Sequence, residues 1–298
     1  MTAGAAREAM EDNPRVKNPN ALSRAGGRAA LSLRPVSIVC DAVPHAEGSC
    51  LITQGKTQVL VTATVEAKVP PFLQKTGLGW ITAEYGMLPR ATHERTVREA
   101  ARGKQTGRTL EIQRLIGRAL RGVADRSILA DRTITLDCDV LVADAGTRCA
   151  SVTGAYVALM LAAGTLFKNR AIRGNPLREA VAAISLGVTA GIEPDSRTIL
   201  LDLDYAEDST AEVDLNVVGT SSGRFVEIQG TAEKEPFDEA TLGELLAAAR
   251  RGLSELFRVQ CAALEGRVPD AWLPDLPQAR AKNPRKTSAS RPGSSKRA

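Results

Sequence analysis

Asp144-Ala-Gly-Thr-Arg148 gathers a carboxylate, a flexible backbone, a hydroxyl and a guanidinium at the point where an alternating strand pattern gives way to an apolar helix pattern. A helix N-terminus carries unpaired N–H groups and a partial positive charge, which suits an anion. Gly146 lets the backbone approach closely, Thr147 offers a hydroxyl donor, and Arg148 offers a planar fork matched to phosphate oxygens. A plain helix cap with a surface arginine would carry the same residues. The second candidate is Arg108, which ends the glycine-rich Gly103-Lys-Gln-Thr-Gly-Arg108. The G-x-x-x-x-G-K-[ST] order is absent, so ATP binding by a P-loop is not expected.

The third candidate is the acidic run Asp202, Asp204, Glu207, Asp208, Glu212 and Asp214. Asp202 and Asp204 alternate with Leu201, Leu203 and Tyr205, and read as the polar face of a strand. On one continuous strand Asp208 and Asp214 would stand roughly 20 Å apart. The polar stretch Glu207–Glu212 reads instead as a hairpin loop that returns both to one end of the sheet. Paired carboxylates there suit Mg²⁺ beside a phosphate, or general acid catalysis. A solvated loop is the alternative reading.

These residues need elements to position them. Residues 36–43, 49–53 and 58–65 read as successive strands with turn signals at His45–Gly48 and Gly55–Lys56. A loop-like stretch, Pro70 to Gly107, follows. From Thr109, the spacing of Ile112, Leu115, Ile116, Ala119, Leu120 and Val123 predicts a helix with one buried stripe. Residues 133–142 alternate as a strand, and an apolar helix is expected over about 151–167. Strands near 181–189, 199–205, 213–219 and 224–229 precede a helix over about 239–264. Strands grouped before helices, twice over, give an α/β (α+β two-layer) fold with halves at 24–170 and 171–266. Residues 1–23 and a basic tail at 267–298 lack apolar periodicity and are expected to be disordered.

Composition narrows the partners. The formal charge is +5, but Pro274 to Ala298 holds seven Lys/Arg against one acid, so without that tail the balance is −1. Basicity is concentrated between Arg90 and Arg126, where ten Lys/Arg face four acids. That density favours phosphate or nucleic acid, with a solvated helix face as the bland alternative. Five scattered cysteines without C-x-x-C spacing argue against disulfides or zinc and for a reduced cytoplasm. No secretory signal is expected in the polar first 23 residues, nor any apolar stretch approaching the roughly 20 residues that span a bilayer.

Taken together, several strings resemble the ribonuclease PH family. They are Gly79-Trp-Ile-Thr-Ala-Glu-Tyr-Gly-Met-Leu-Pro-Arg90, Arg98-Glu-Ala-Ala, Gly103–Arg108, Glu111-Ile-Gln-Arg-Leu-Ile-Gly-Arg118 and Thr133-Ile-Thr-Leu-Asp-Cys-Asp139. Asp144–Arg148, Asp204-Tyr-Ala-Glu-Asp-Ser209, Asp214-Leu-Asn-Val-Val218 and Ile228-Gln-Gly-Thr-Ala-Glu233 complete the set, in order from about Arg24 to Leu264. The resemblance implies a ribosomal protein S5 domain 2-like fold and a homohexamer built as a trimer of dimers. It implies a phosphorolytic 3′–5′ exoribonuclease (tRNA nucleotidyltransferase) that trims tRNA precursors and other RNA 3′ ends with inorganic phosphate. Arg108, Gly146, Thr147 and Arg148 match phosphate-binding positions, Asp208 and Asp214 the catalytic acidic pair and Mg²⁺ site, and Arg90, Arg95 and Arg98 RNA-contacting positions. Two departures flank the phosphate segment: Ala145 stands where the family has glycine and Cys149 where it has threonine. Both are small, so the geometry is expected to survive, with phosphate affinity open to the lost hydroxyl. Residues 192–198 are slightly longer than the family's usual turn. A non-catalytic ring subunit, a small-molecule kinase and a hydrolase are the competing classes; the presence of both arginines and both aspartates favours the phosphorolytic enzyme.

Overall fold

The computed structural model describes Arg24, residues 27–191 and 196–274, and Leu276. The expected N-terminal extension at 1–23, most of the slightly lengthened turn expected at 192–198 and most of the expected basic tail lie outside these residues.

The first half is a five-stranded sheet in the order β1-β2-β3-β5-β4. β1 (Val36–Cys40), β2 (Gly48–Gln54) and β3 (Thr57–Glu66) form an antiparallel meander. The β2–β3 turn is the two-residue Gly55-Lys56, with Gly55 at φ +61°, a backbone region that favours glycine. The stretch expected to be a long loop contains another strand, β4 (Trp80–Met87). Its Thr, Glu and Gly positions and its Gly/Pro-rich flanks hide it in the sequence. It runs parallel to β5 (Thr133–Val142), and parallel neighbours require a crossover. α1 (Glu99–Arg102), α2 (Gly107–Val123) and α3 (Arg126–Leu129) supply that crossover. The apolar stripe of α2 is buried as its spacing predicts.

α4 (Thr147–Lys168) packs against β2 and β3 on one side and β6 (Val181–Ala190) on the other. Nearly every side chain is buried, so no polar face exists to give an amphipathic pattern. The helix is long and apolar enough to cross a bilayer, contrary to expectation, because its many Ala, Gly, Ser and Thr residues dilute an apolarity that two sheets cover. Small residues also let the sheet come close: a Cβ at Gly48 would stand 2.5 Å from the Ala162 nitrogen of α4.

The second sheet has the order β7-β6-β8-β9, with β7 (Arg197–Leu201), β8 (Val213–Thr220) and β9 (Phe225–Ala232). Both β7 and β8 pair with β6 and not with each other, so the expected hairpin between them does not form. The connecting residues 202–212 pass the end of β6 and carry the short α5 (Tyr205–Asp208). β6 is buried on both faces: Ile184 meets α6 at Gly252, while Gly187 meets Leu203 and Ala211. α6 (Glu239–Leu264) starts on Asp238, whose carboxylate accepts from the Thr241 N–H at 2.8 Å, and spans β6, β7, β8 and β1. Order continues past the expected boundary at 266. Val268 is buried and Trp272 meets Phe167 edge-on at 5.1 Å, two apolar anchors in a segment that composition assigns to the tail. Each half is a sheet layered with helices, the two-layer α/β arrangement of the ribosomal protein S5 domain 2 type.

Candidate active site

The Asp144–Arg148 segment lies at the N-terminus of α4, and its backbone is held from three directions. Ala145 and Gly146 both have left-handed φ, +58° and +66°, which turns the chain sharply into the helix. The Thr57 hydroxyl donates to the Ala145 carbonyl at 2.7 Å and accepts from the Asp144 N–H at 3.0 Å. Arg34 donates to the Asp144 carbonyl, and its Nη2 also donates to Asp202 Oδ1 at 2.7 Å. Asp202 is fully buried, not on the polar face of a strand. β7 ends at Leu201, and the φ of +57° at Asp202 turns the carboxylate inward, where it also accepts from the Arg34 N–H at 2.7 Å and from Gln54 Nε2 at 2.8 Å. A buried charge persists when it is paired and hydrogen-bonded on all sides. Tyr85 of β4 completes the frame, its hydroxyl 2.9 Å from that of Thr147.

Ala145 thus occupies a conformation that costs an L-residue with a Cβ roughly 1 kcal/mol. Ala145→Gly is therefore expected to raise the unfolding free energy by less than about 1 kcal/mol, the relieved strain being partly offset by glycine's greater freedom when unfolded. Chemical denaturation of the two proteins checks this, and a clear loss of stability would contradict it.

α5 presents Asp208. Asp204 caps the helix by accepting from the Glu207 N–H at 3.0 Å, and Glu207 returns to the Asp204 N–H at 3.0 Å. Glu207 is clamped by two arginines from the start of the described chain. Arg24 donates from Nε and Nη2 at 2.7 and 2.6 Å, and Arg28 from Nη2 at 3.1 Å. Burial pushes the Asp208 carboxyl above the usual carboxylate range, against the pull of Arg108, Arg148 and Arg34. Burial, then the neighbouring Asp208, pushes Asp214 up in the same way, opposed by Arg148 and Asn216. The two carboxylates are thus electrostatic neighbours as expected, though a crossover past β6 brings them together where a hairpin was predicted.

Arg108, Gly146, Thr147 and Asp208 line one cavity of about 510 Å³, together with Met87, Thr92, His93, Glu94, Thr96, Ala143, Ala145 and Tyr205. Arg108 reaches it from the first turn of α2, whose N-cap Thr106 accepts from the Thr109 N–H at 3.2 Å. Arg148 is not in the lining. It donates to Gln229 of β9 and stands 3.5 Å from Glu111 of α2. Asp214 is likewise not among the lining residues, but lies within electrostatic range of Asp208, which is. Arg90, Arg95 and Arg98 are exposed on the loop between β4 and α1, which lends Thr92, His93, Glu94 and Thr96 to the cavity but not these arginines. Cys149 does not line this cavity either. Its buried thiol donates to Asn216 Oδ1 at 3.2 Å, leaving Asn216 Nδ2 to donate to both Asp214 oxygens at 3.3 Å. The substitution of threonine by cysteine therefore acts on the orientation of Asp214's partner.

Sequence reasoning missed Arg24, Arg34, Gln54, Thr57, Tyr85, Asp202, Tyr205 and Asn216. Most hold their partners across long sequence separations, such as 168 residues for Arg34 and Asp202, so no local spacing signals them. As for a metal, no cluster of three or more His, Cys, Asp or Glu side chains at metal-holding proximity exists among the described residues. Asp208 and Asp214 offer only oxygen donors. That fits Mg²⁺ shared with substrate phosphates, since magnesium commonly takes one or two carboxylates and completes its shell with water and phosphate.

Three solved structures share the fold. Rice (Oryza sativa) Rrp46 superposes with a TM-score of 0.64 at 18% identity, covering 81% of this chain and 100% of that one. The Archaeoglobus fulgidus exosome with RNA bound to its active site gives a TM-score of 0.64 at 22% identity, over 79% of this chain and 92% of that one. An archaeal exosome core gives 0.61 at 21%, over 78% and 89%. At these identities the likeness is one of fold. The family models are more specific: domain 1 of the 3′ exoribonuclease family matches residues 32–163 and domain 2 matches residues 179–252. Those ranges take in Arg108, Gly146–Arg148, Asp208 and Asp214, and the chain belongs to the 3′ exoribonuclease family.

Proposed function

We propose that this chain is a phosphorolytic 3′–5′ exoribonuclease of the bacterial ribonuclease PH type, acting on tRNA precursors and other RNA 3′ ends, rRNA included. The observation that carries the reading is the convergence of Arg108, the Gly146–Thr147 helix entrance and Asp208 on one cavity. An arginine and a helix N-terminus attract an anion, and a carboxylate beside them serves proton transfer or charge neutralisation. By resemblance, the working form is a homohexamer, a trimer of dimers, in the cytoplasm.

Inorganic phosphate is held by Arg108, the Thr147 hydroxyl and the backbone N–H groups at the start of α4. One of its oxygens attacks the phosphorus of the last phosphodiester. A new P–O bond forms as the bond to the departing O3′ breaks, releasing a nucleoside diphosphate and an RNA shorter by one nucleotide. The departing oxygen takes a proton from Asp214 or Asp208, and the proton shed by the attacking phosphate replaces it. Much of the rate enhancement is positioning and neutralisation, because two anions must meet. Arg148 contributes positive charge within electrostatic range of both aspartates. Mg²⁺, held by Asp208 and Asp214, would supply further neutralisation of the phosphate oxygens when bound.

Incubation of a 3′-extended tRNA with and without phosphate tests the reading. Nucleoside diphosphate is expected only with phosphate. Nucleoside monophosphate without phosphate would make the chain a hydrolase, and no product under either condition would make it a non-catalytic ring subunit.

A further inference from the structure

The cavity at the candidate active site has a lining that phosphate alone does not explain. Beside Arg108, Gly146, Thr147 and Asp208 it includes two aromatic rings, His93 and Tyr205. Tyr205 is 58% exposed, whereas the other two tyrosines, Tyr85 and Tyr156, are buried. Its place is fixed from both sides. The Tyr205 N–H donates to Asp144 Oδ1 at 3.3 Å, tying it to the phosphate segment, and the His93 ring lies 6.5 Å away, centroid to centroid, tilted by 60°. Tyr205 and Asp208 are first and last on α5, three positions apart, the spacing that makes helix neighbours at about 5–6 Å between Cβ atoms. A ring thus stands next to the carboxylate and an anion site next to both. A nucleotide has this same make-up, a planar base joined to a phosphate.

We propose that the Tyr205 ring, backed by His93, is the platform on which the 3′-terminal base of the RNA stacks. This rests on the exoribonuclease reading of the same site. Every base has a π face, so stacking on Tyr205 holds the terminal nucleotide in place without selecting among bases, as a site that meets each base in turn requires.

The test uses the full-length chain and an RNA ending in 2-aminopurine, a base whose fluorescence is quenched by stacking, with phosphate omitted. Wild type and Tyr205→Phe are expected to quench the terminal base. Tyr205→Ala should lose the quench and bind the RNA about 5- to 150-fold more weakly, the range that one base–aromatic stack accounts for. An RNA ending in an abasic nucleotide should bind wild type and Tyr205→Ala equally. Persistent quenching in Tyr205→Ala, or an equal loss of affinity for intact and abasic RNA, would overturn the platform. Nucleoside diphosphate release by wild type is a separate readout. A lost quench in Tyr205→Ala without any wild-type release refutes phosphorolysis and leaves the platform standing, and the converse pair of results does the opposite.

Discussion

Asp214→Asn is expected to lower turnover by about 10²–10⁴-fold, the contribution typical of a positioned proton donor, while the chain still folds and binds RNA. The same substitution should change how stability depends on pH. Burial and the adjacent Asp208 hold the Asp214 carboxyl above the usual carboxylate range in the folded protein, whereas in the unfolded chain it titrates near about 3.9. Between those two values the folded state binds more protons than the unfolded one. The stability that the protonated group contributes is therefore complete below the unfolded value and lost as pH rises through the folded one. Asparagine does not titrate. The melting temperature of Asp214→Asn relative to wild type should accordingly move in the variant's favour as pH rises from about 4 to 7. Melting curves across that range, with turnover measured on the same samples, check both halves. A difference independent of pH, or turnover near that of wild type, would remove Asp214 from the proposed chemistry.

Arg108→Ala should act on a different axis. Arg108 is exposed, stands on the first turn of α2 and lines the cavity. A charge-assisted hydrogen bond of this kind is worth about 1.5–3 kcal/mol, so the phosphate concentration for half-maximal turnover should rise roughly 10- to 150-fold. The RNA concentration required should change far less, because other groups hold the polymer. Arg108→Lys keeps the charge but loses the fork, and should fall between the two. Steady-state kinetics with phosphate and RNA varied in turn separate these outcomes; an unaltered phosphate requirement would exclude Arg108 as a ligand.

The parts of the site that are contiguous in the chain were legible in the sequence, and the parts that hold them were not. Asp144–Arg148 can be read because a strand, a turn and a helix entrance follow one another within a few residues. Arg34 carries no local mark of its role, since its partners are Asp144 and Asp202, 110 and 168 residues away. Asp202 misleads because Leu-Asp-Leu-Asp alternates like a strand, yet the strand stops at Leu201 and a left-handed φ reverses the direction of the side chain. The proximity of Asp208 and Asp214 was anticipated by the wrong route: polar residues between two strands suggest a hairpin, and nothing local shows that β6 lies between them. In the same way β4 is a strand because β5 and α2 give it neighbours, not because its residues insist on it. Buried everywhere, α4 has no periodicity to betray its start, which lies four residues before the apolar run suggests.

The Arg34–Asp202 pair also sets a clock on the newly made protein. Ribosomes add residues at about 5–20 per second. Asp202 is added 168 residues after Arg34, so on the order of 8–34 s pass before the guanidinium meets its counter-charge. Asp144 follows after 110 of those residues, so for the rest of the interval the guanidinium that holds its carbonyl lacks its own carboxylate partner, and Asp208 and Asp214 have not yet been made. A nascent chain of this protein thus carries Arg108 and the Gly146–Arg148 turn before either aspartate of the candidate site exists.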